Sequence, residues 1–378
     1  MTIPRTLSVS FSALRGFVFV AFFAVNVALA YGPVGHEIVG AVADEKLARS
    51  AAGEKINALL DGLPLEKVAT YPDEIRGWDK NGPDDPNTVH FSNHPKIDAA
   101  LRDYWHANPP TKDLNSATPS HHWFHYTDVP VLGGEKYGDG KVGRSKWDIV
   151  HMIPYCISVL KGEVPEDNPR KITKPMAVIL ITHFVGDIHQ PLHVGAEFFD
   201  KEGHPANPDK TVDTIEDQGG NTLTLNLTSG GTEATRHAKF HSFWDSESVM
   251  ANLPPMPESI SKEEKHARIE AAKKELVKEF VTNEPKAWRQ PSDVALKDYA
   301  EAWANEIMPM AREAHERLQF RDVAAKQMED GTVAAAGFLD EKKSADGVSY
   351  YDWAARSARE QLRKAGWRLA DVLEQALR

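Results

Sequence analysis

The sequence of 378 residues has one cysteine, Cys156, and no excess of positive charge. A single cysteine forms no disulfide within the chain, so core packing or bound metal must stabilise the fold. The formal net charge of -11 would repel an anionic partner over the surface as a whole. The sequence also lacks an internal repeat, a glycine-rich phosphate loop and any long apolar run after the first thirty residues. These absences exclude solenoids, P-loop enzymes and multi-span membrane proteins.

The N-terminal residues 1–30 differ from the rest of the chain. Two arginines precede the apolar run GFVFVAFFAVNVALA, which ends in the small residues Ala28 and Ala30 that a signal peptidase requires. The run is about fifteen residues long, short of the roughly 20 that span a bilayer, which favours a cleaved secretory signal over an N-terminal membrane anchor. The mature chain is then expected to begin at Tyr31, to be secreted or periplasmic, and to have no membrane contact.

The remaining sequence has a globular composition, because the whole chain is 41% hydrophobic and 26% charged. Apolar periodicity predicts helices at about 34–47, 147–161, 175–189, 261–280, 292–318 and 350–377. Residues 79–120 are polar and rich in Pro, Asn and Asp, which predicts a long irregular loop. Leu223, Leu225 and Leu227 alternate with polar residues, which predicts one small β-hairpin followed only by helices. The expected fold class is therefore mainly α.

The predicted helix at 175–189 combines a strongly apolar first half with two ionisable residues. Its first half, PMAVILIT, carries no charge, so the helix is expected to be buried on every side. The same helix carries His183 and Asp187. Burying such a pair costs several kcal/mol unless hydrogen bonds or opposite charges compensate for the lost hydration. His183 and Asp187 therefore require compensating groups from elsewhere in the chain.

Other histidines and aspartates of the chain could supply this compensation by joining His183 and Asp187 in one site. His241 and Asp245 are spaced like His183 and Asp187, and a spacing of four places both side chains on one helix face. The further candidates are His36, Asp73, His125 and His193. Imidazole nitrogen and carboxylate oxygen without thiolate are typical of hydrolytic zinc sites, which keep an open position for water. A single buried histidine is more often a hydrogen-bonded core residue, but this whole set favours a metal.

The order of the motifs resembles a known family. The chain contains, in order, YGPVGHEIVG, ATYPDEIR, WFHYTD, THFVGDIHQPLH, GGN and FHSFWD. This series is similar to the zinc-dependent nucleases of the S1/P1 family, which includes fungal single-strand nucleases and plant bifunctional nucleases. The resemblance extends over nearly the whole mature chain, because QLRKAGWRLADVL is similar to the last helix of the family.

The resemblance implies a mainly α, single-domain fold of the phospholipase C/nuclease type over residues 31–378, with three zinc ions at the bottom of a cleft. One zinc would be bound by Asp73, His125, His183 and Asp187, the second by His193, His241 and Asp245, and the third by His36, Asp187 and the backbone amine and carbonyl of Tyr31. Asp187 would thus bind two ions.

The family pattern also implies two catalytic side chains besides Asp187. Asp128 would accept a hydrogen bond from the attacking water, and Arg76 would neutralise charge on the phosphoryl oxygens. The alternative for Arg76 is a surface salt bridge. Asn221 could orient a base or a phosphate, and Tyr126 could stack on an unpaired base.

Several histidines receive no metal from the resemblance. His189 is expected to donate a hydrogen bond to a metal ligand. His121, His122 and His151 match no family motif and are expected to be structural or solvent-facing.

The chain departs from the family pattern at its start and in two gaps. The family usually opens with Trp where this chain has Tyr31, which leaves the packing of that ring open. The gaps from Asp73 to His125 and from His193 to His241 are longer than in the fungal and plant members. Both insertions are expected to border the cleft and to alter substrate choice.

The expected function is hydrolysis of single-stranded DNA and RNA to 5′-phosphate products by a monomer, with activity on 3′-nucleotides. Three zinc ions bring six positive charges and the three aspartates neutralise half, so the site attracts a phosphate diester despite the negative surface. Zinc also lowers the pKa of bound water from near 16 to about 7, which makes a nucleophile available at neutral pH.

Two alternatives stay open at this point. A zinc-dependent phospholipase C would share the fold and the three-metal site, but its last carboxylate is typically glutamate where this chain has Asp245. A non-catalytic periplasmic zinc-binding protein would use closed sites and histidine-rich tracts, whereas these candidate ligands are scattered along the chain.

Overall fold

Most of the described chain is α-helical. The computed structural model describes residues 31–378 apart from 86–87, 89–90, 92, 112–119, 134–135, 258 and 329–330, so the predicted signal segment lies outside the described residues. The helices are α1 (Pro33–Leu47), α2 (Ala51–Leu59), α3 (Leu65–Val68), α4 (Tyr71–Glu74), α5 (Pro95–Ala107), α6 (Ile149–Leu160), α7 (Lys174–Asp187), α8 (Glu233–Arg236), α9 (Phe240–Ser242), α10 (Ser248–Met250), α11 (Lys262–Thr282), α12 (Tyr299–Glu316) and α13 (Tyr350–Ala376). The mainly α class expected from the sequence is confirmed.

Short turns of other helix types connect these elements. The 3₁₀ turns are Ile75–Asp79, His121–His125, Tyr137–Asp139, Pro191–His193 and Leu296–Asp298, and Phe243–Glu247 forms a π-helical turn. In the part of the chain that the structure describes, no helix is both long enough and apolar enough to cross a membrane.

Helix α7 lies in the main hydrophobic core. The Thr173 hydroxyl caps it by accepting a hydrogen bond from the Met176 N–H, and Pro175 occupies the first turn, where the helix needs no donor. Every residue from Met176 to Asp187 is buried, because α1, α6 and α13 pack around the helix. The predicted buried helix is confirmed, and its polar residues lie inside the protein.

Two glycines allow helices to approach closely around α1. A Cβ on Gly366 of α13 would lie 2.5 Å from the Cβ of Val42 on α1. A Cβ on Gly186 of α7 would lie 2.8 Å from Nδ1 of His36, also on α1. Because neither contact leaves room for a side chain, α1 packs directly against both helices, and His36 is held against the last turn of α7.

The strands form three small sheets. The strands are β1 (Val129–Pro130), β2 (Gly195–Ala196), β3 (Phe198–Phe199), β4 (Ile215–Glu216), β5 (Leu223–Asn226), β6 (Leu318–Gln327) and β7 (Val333–Glu341). Strands β1 and β2 pair in parallel, β3 and β4 pair antiparallel, and the third sheet has the order β5-β7-β6. The β1–β2 pair brings the chain after His125 beside the chain after His193, and the His193 ring accordingly reaches the His125 carbonyl.

The sequence located the strand at 223–226 correctly but assigned it the wrong partner. Its leucines are buried on alternate positions as expected, yet β5 pairs in parallel with the distant β7 rather than in a local hairpin. The observed hairpin is formed by β6 and β7, in a region expected to be helical. This region is rich in alanine, which favours helix, and β6 is mostly exposed, so its apolar residues show no alternation.

The stretch 79–120 is only partly irregular. Helix α5 lies within it and buries Ile97, Leu101 and Tyr104, whose spacing of four and three matches one helix face. The prediction of a continuous loop is therefore wrong over residues 95–107, while 86–87, 89–90, 92 and 112–119 fall outside the described residues. The later helices α11, α12 and α13 confirm the sequence predictions.

Candidate metal centre and active-site cleft

Three buried His/Asp groups meet where α1, α4, α7 and the segment 240–247 come together. The groups are His36, His183 and Asp187; Asp73, His125 and His183; and His193, His241 and Asp245. Within each group the potential ligand atoms lie within 4.8 Å of one another, and all these residues are buried. The structure thus brings together every side chain that the sequence assigned to the metal centre.

Asp187 lies between two of these groups. Its Oδ1 is 3.2 Å from Nε2 of His36. Its Oδ2 is 3.1 Å from Nδ1 of His125 and 3.2 Å from Nε2 of His183. The two oxygens of one carboxylate therefore face two different sets of imidazoles, which is the arrangement that a bridging ligand requires.

Asp73 completes the group around His125 and His183. Its Oδ1 lies 4.0 Å from Nδ1 of His125 and 3.8 Å from Nε2 of His183, while these two ring nitrogens are 2.9 Å apart. The His36 and His183 rings stack with centroids 3.9 Å apart. The close packing leaves all these nitrogens directed at one small volume.

The third group depends on a π-helical turn. His241 lies on α9 and Asp245 on the π turn that follows, so their spacing of four residues keeps both side chains on one side of the chain. Nε2 of His241 is 3.2 Å from Nε2 of His193 and 3.4 Å from Oδ2 of Asp245. The Gln190 amide donates to the other oxygen of Asp245 at 2.8 Å, which fixes the orientation of the carboxylate.

Hydrogen bonds to backbone carbonyls fix the tautomer of three of the histidines. Nδ1 of His183 donates to the Ala69 carbonyl at 2.7 Å. In the same way, Nδ1 of His193 donates to the His125 carbonyl and Nδ1 of His241 donates to the Gly219 carbonyl. In a neutral ring the Nε2 lone pair is then free to bind a cation. The lone pairs of His193 and His241 face each other at 3.2 Å, which is unfavourable unless a cation lies between them.

The unsatisfied polar atoms of these residues also fit a metal. Among the described residues, buried side-chain atoms without a hydrogen-bond partner include both ring nitrogens of His36, Oδ1 of Asp73, Oδ1 of Asp187 and Oδ2 of Asp245. Buried polar atoms seldom remain unpaired in native proteins. Nitrogen and carboxylate donors in groups of three match the ligand preferences of zinc. The residues present therefore fit the metal that the sequence predicts.

The electrostatics of the cluster agree with this interpretation. Burial lowers the pKa of His125 and of His241 to about 3, so both rings are neutral and able to bind metal. Burial opposes a charge on His183 as well, but Asp187 and Asp73 raise its pKa to about 9. Burial alone would raise the pKa of Asp187, yet His183 and its other histidine neighbours hold it well below its usual range. Positive charge next to Asp187 is thus required, from a proton or from a cation.

Tyr31 is buried at the start of α1, with its ring against Gly35. Its hydroxyl donates to the His189 carbonyl at 2.9 Å, and the next residue, Gly32, donates its N–H to the Asp245 carbonyl at 2.7 Å. The ring is therefore well packed although the family usually has tryptophan here. Tyr31 and Gly32 therefore lie beside Asp245, one of the metal-ligand candidates.

A cleft of about 730 Å³ opens above the metal centre. Its lining includes His125, His193 and His241 of the centre together with Arg76, Tyr126, Asp128 and Asn221. The expected catalytic and substrate-binding side chains therefore share one cavity. Segments of both long gaps also line it, through Ser120 in the first and Glu216 in the second.

Arg76 and Asp128 occupy different environments in this cleft. Nη1 of Arg76 lies 3.6 Å from Oδ1 of Asp73, and Arg76 also lines the cavity, so its side chain connects a ligand candidate to the cleft. Burial raises the pKa of Asp128 well above its usual range, and the charges of Glu216 and Asp217 raise it further. The Asn221 amide donates to the Gln218 carbonyl at 2.8 Å, which holds it at the cleft wall.

The other histidines give mixed outcomes. His189 does not donate to a metal ligand as expected, because Nδ1 donates to the Val185 carbonyl and Nε2 accepts from Arg368. His151 is half-exposed beside Asp148 and has the structural role expected. His121 is buried and His122 is partly exposed, which agrees with the expectation, and both rings converge on Asp79 in a further group of potential ligands.

Sequence reasoning missed Gln190, Gly186 and Glu216. Gln190 and Gly186 lie inside the motif THFVGDIHQPLH, where the spacing to the ligands was a usable signal. Glu216 belongs to β4 in a gap of the family pattern, so no motif points to it. Its burial and the neighbouring Asp217 raise its pKa to about 7.

The fold and the cleft define a class of protein, a mainly helical chain with a cleft beside buried His/Asp groups of the kind that bind metal. The family model described as S1/P1 Nuclease matches residues 31–378, and the chain belongs to this family, which is metal-dependent. Endonuclease 2 of Arabidopsis thaliana is 26% identical over 135 residues, which is 33% of this chain and 38% of that protein. The chain thus matches little more than a third of the length of this relative.

Proposed function

We propose that the chain is a zinc-dependent endonuclease that hydrolyses single-stranded DNA and RNA to 5′-phosphate products and also acts on 3′-nucleotides. The observation that carries this proposal is the opposed pair of imidazoles, His193 and His241, beside a carboxylate, Asp187, whose two oxygens face separate groups. Membership of a nuclease family supplies the reaction class.

The proposed ligand sets follow the three groups. One zinc is bound by Asp73, His125, His183 and Asp187, the second by His193, His241 and Asp245, and the third by His36, Asp187 and the backbone of Tyr31. When bound, zinc ions supply positive charge to a phosphate diester and lower the pKa of water to about 7. The buried aspartates keep the net charge of the centre low enough for the fold to tolerate it.

Asp128 and Arg76 act on the substrate from the wall of the cleft. Asp128 lines the cavity and accepts a hydrogen bond from the attacking water; positive charge from bound zinc would oppose the rise in its pKa and keep the carboxylate ionised. Arg76 faces the cavity and stabilises negative charge as it grows on the phosphoryl oxygens. Its ion pair with Asp73 holds the guanidinium in position before substrate binds.

Single strands are the preferred substrate because the reactive groups lie at the base of a cavity. A paired base cannot leave its stack without a cost of a few kcal/mol, whereas an unpaired base exposes its face for stacking. Tyr126 offers such a face in the lining, and Asn221 offers a polar group in the same lining.

We also propose that the mature protein begins at Tyr31, acts as a monomer and is secreted or periplasmic.

One panel of assays tests this function. Signal-processed protein is analysed for metal content and then incubated with single-stranded DNA, RNA, a perfect duplex and phosphatidylcholine vesicles. We expect at least three zinc ions, three of them at the sites named above, together with 5′-phosphate ends and faster cleavage of single strands than of duplex. Release of phosphocholine with no nucleic-acid cleavage would replace the proposal by a phospholipase. Zinc binding with no hydrolysis of any substrate would leave a binding protein.

A further inference from the structure

Asp79, His121 and His122 form a fourth group that the family pattern does not include. Nε2 of His121 lies 3.3 Å from Oδ1 of Asp79, and Nε2 of His122 lies 2.5 Å from Oδ2. The two imidazoles thus direct the same nitrogen at the two oxygens of one carboxylate. All three potential ligand atoms lie within 4.8 Å of one another.

This convergence distinguishes the group from the other histidine–carboxylate pairs of the chain. His94, His106, His151 and His204 each lie near a single aspartate. In the described part of the chain, the groups that bring three such atoms together are the three of the proposed zinc centre and this one. Two histidines and one carboxylate are a ligand set that binds zinc in hydrolases and leaves positions open for water or substrate.

A tryptophan supports the carboxylate from behind. Nε1–H of Trp105, on α5, donates to Oδ1 of Asp79 at 3.0 Å. Such a hydrogen bond to a ligating carboxylate orients it and is a common feature of metal sites. The supporting helix is the one that the sequence analysis missed, so this group could not be assembled from the sequence.

One member of the group, His122, lies on the wall of the proposed active-site cleft. His122 and His125 are three residues apart in one 3₁₀ turn, and side chains at that spacing eclipse each other. His122 therefore stands on the same side as His125, one turn away, and it lines the same cavity. The side chains of His122 and Asp79 are 32% and 21% exposed, so an ion can enter from solvent.

We infer that Asp79, His121 and His122 bind a fourth divalent metal ion, zinc, separate from the three ions of the proposed centre. The ion would add positive charge to the cleft wall next to Arg76. If the proposed function holds, this charge contacts a phosphate of the nucleotide neighbouring the scissile bond. Metal binding itself does not depend on that function, because it requires only the three side chains.

Metal stoichiometry tests the inference directly. Three signal-processed proteins are compared: the wild type, Asp79→Asn and His122→Gln. Each is saturated with zinc and freed of unbound metal, and its zinc content is measured by elemental mass spectrometry. We expect four zinc ions in the wild type and three in each variant. The matched control is His151→Gln, which removes a half-exposed histidine that pairs with one aspartate only, and it should retain four.

Cobalt substitution adds a readout for the geometry. Titration of zinc-free protein with Co²⁺ should give visible absorption from four sites in the wild type and from three in His122→Gln. Three ions in the wild type together with three in both variants would overturn the inference and leave Asp79 as a hydrogen-bond acceptor. Four ions without nuclease activity would instead contradict the proposed function while confirming the fourth site.

Discussion

Removal of metal should destabilise the whole fold, because the proposed centre lies inside the main core. The relevant groups include two buried carboxylate oxygens that have no hydrogen-bond partner among the described residues, Oδ1 of Asp73 and Oδ2 of Asp245. A buried polar atom without a partner costs about 1–3 kcal/mol, so the metal-free protein carries a penalty of about 2–6 kcal/mol. Total stabilities are only about 5–15 kcal/mol, so a large part of the margin depends on the cations.

The loss can be expressed as a melting temperature. With an unfolding entropy of about 2.1 cal/mol/K per residue, the roughly 350 residues from Tyr31 onwards should melt roughly 3–8 °C lower without metal. The assay is thermal unfolding followed by circular dichroism, before and after dialysis against a chelator, with metal content measured on the same samples. Added Zn²⁺ should restore the melting temperature, whereas Mg²⁺ should not, because it avoids nitrogen ligands.

Metal-free protein that melts at the temperature of the zinc-loaded protein would refute this expectation, because the unpaired atoms would then have found other partners, such as buried water, at no cost in stability. The stability of the core would then not depend on the metal centre, and the burial of His183 and Asp187 on α7 would not require a cation.

Four further predictions concern single positions. Asp187→Asn should nearly abolish turnover and lower zinc content, and full zinc content with normal turnover would exclude a bridging role. Arg76→Ala should keep its zinc but lower kcat by roughly 10²–10³-fold, as expected for a lost transition-state donor; a fall in zinc content would make it structural. Gly186→Ala places a Cβ 2.8 Å from the His36 ring and should lose one zinc, whereas the control Gly366→Ala, which crowds Val42, should lose stability but no zinc. A one-residue extension before Tyr31 should leave one zinc fewer and little activity, because an amide replaces the amine ligand; equal zinc and activity in both forms would exclude that ligand.

The sequence predicted that the His and Asp side chains of the proposed metal centre come together, because each step had a physical signal. A helix whose first half is uncharged and whose end carries two ionisable residues can be recognised without a structure. Burial of those residues must be compensated by hydrogen bonds or opposite charge. The spacing of His241 and Asp245 placed both on one side of the chain, although the turn proved to be π-helical. The family motifs then supplied the remaining ligands, which come from distant parts of the chain.

The parts that the sequence did not predict depend on long-range pairing. Strand β5 pairs with β7, more than a hundred residues later, and no local pattern specifies such a partner. Helix α5 is short and surrounded by Pro, Asn and Asp, so its three buried residues were outweighed by composition. The group around Asp79 needed α5 in place, because Trp105 orients its carboxylate.

The end of α7 explains why affinity for cations and the cost of their absence have one origin. The last turn of a helix carries a partial negative charge from its unpaired carbonyls, equivalent to about half an elementary charge. His183 and Asp187 lie in that turn, with Asp73 beside them. The negative charge of Asp73 and Asp187 adds to burial in raising the pKa of Asp245 well above its usual range. Without cations this region must take up protons, at His183 and at Asp245. Cations replace those protons. They bind more tightly here than at an exposed site, because the buried carboxylates and the helix end attract positive charge strongly in a medium of low dielectric constant. The same groups destabilise the fold when no cation is bound.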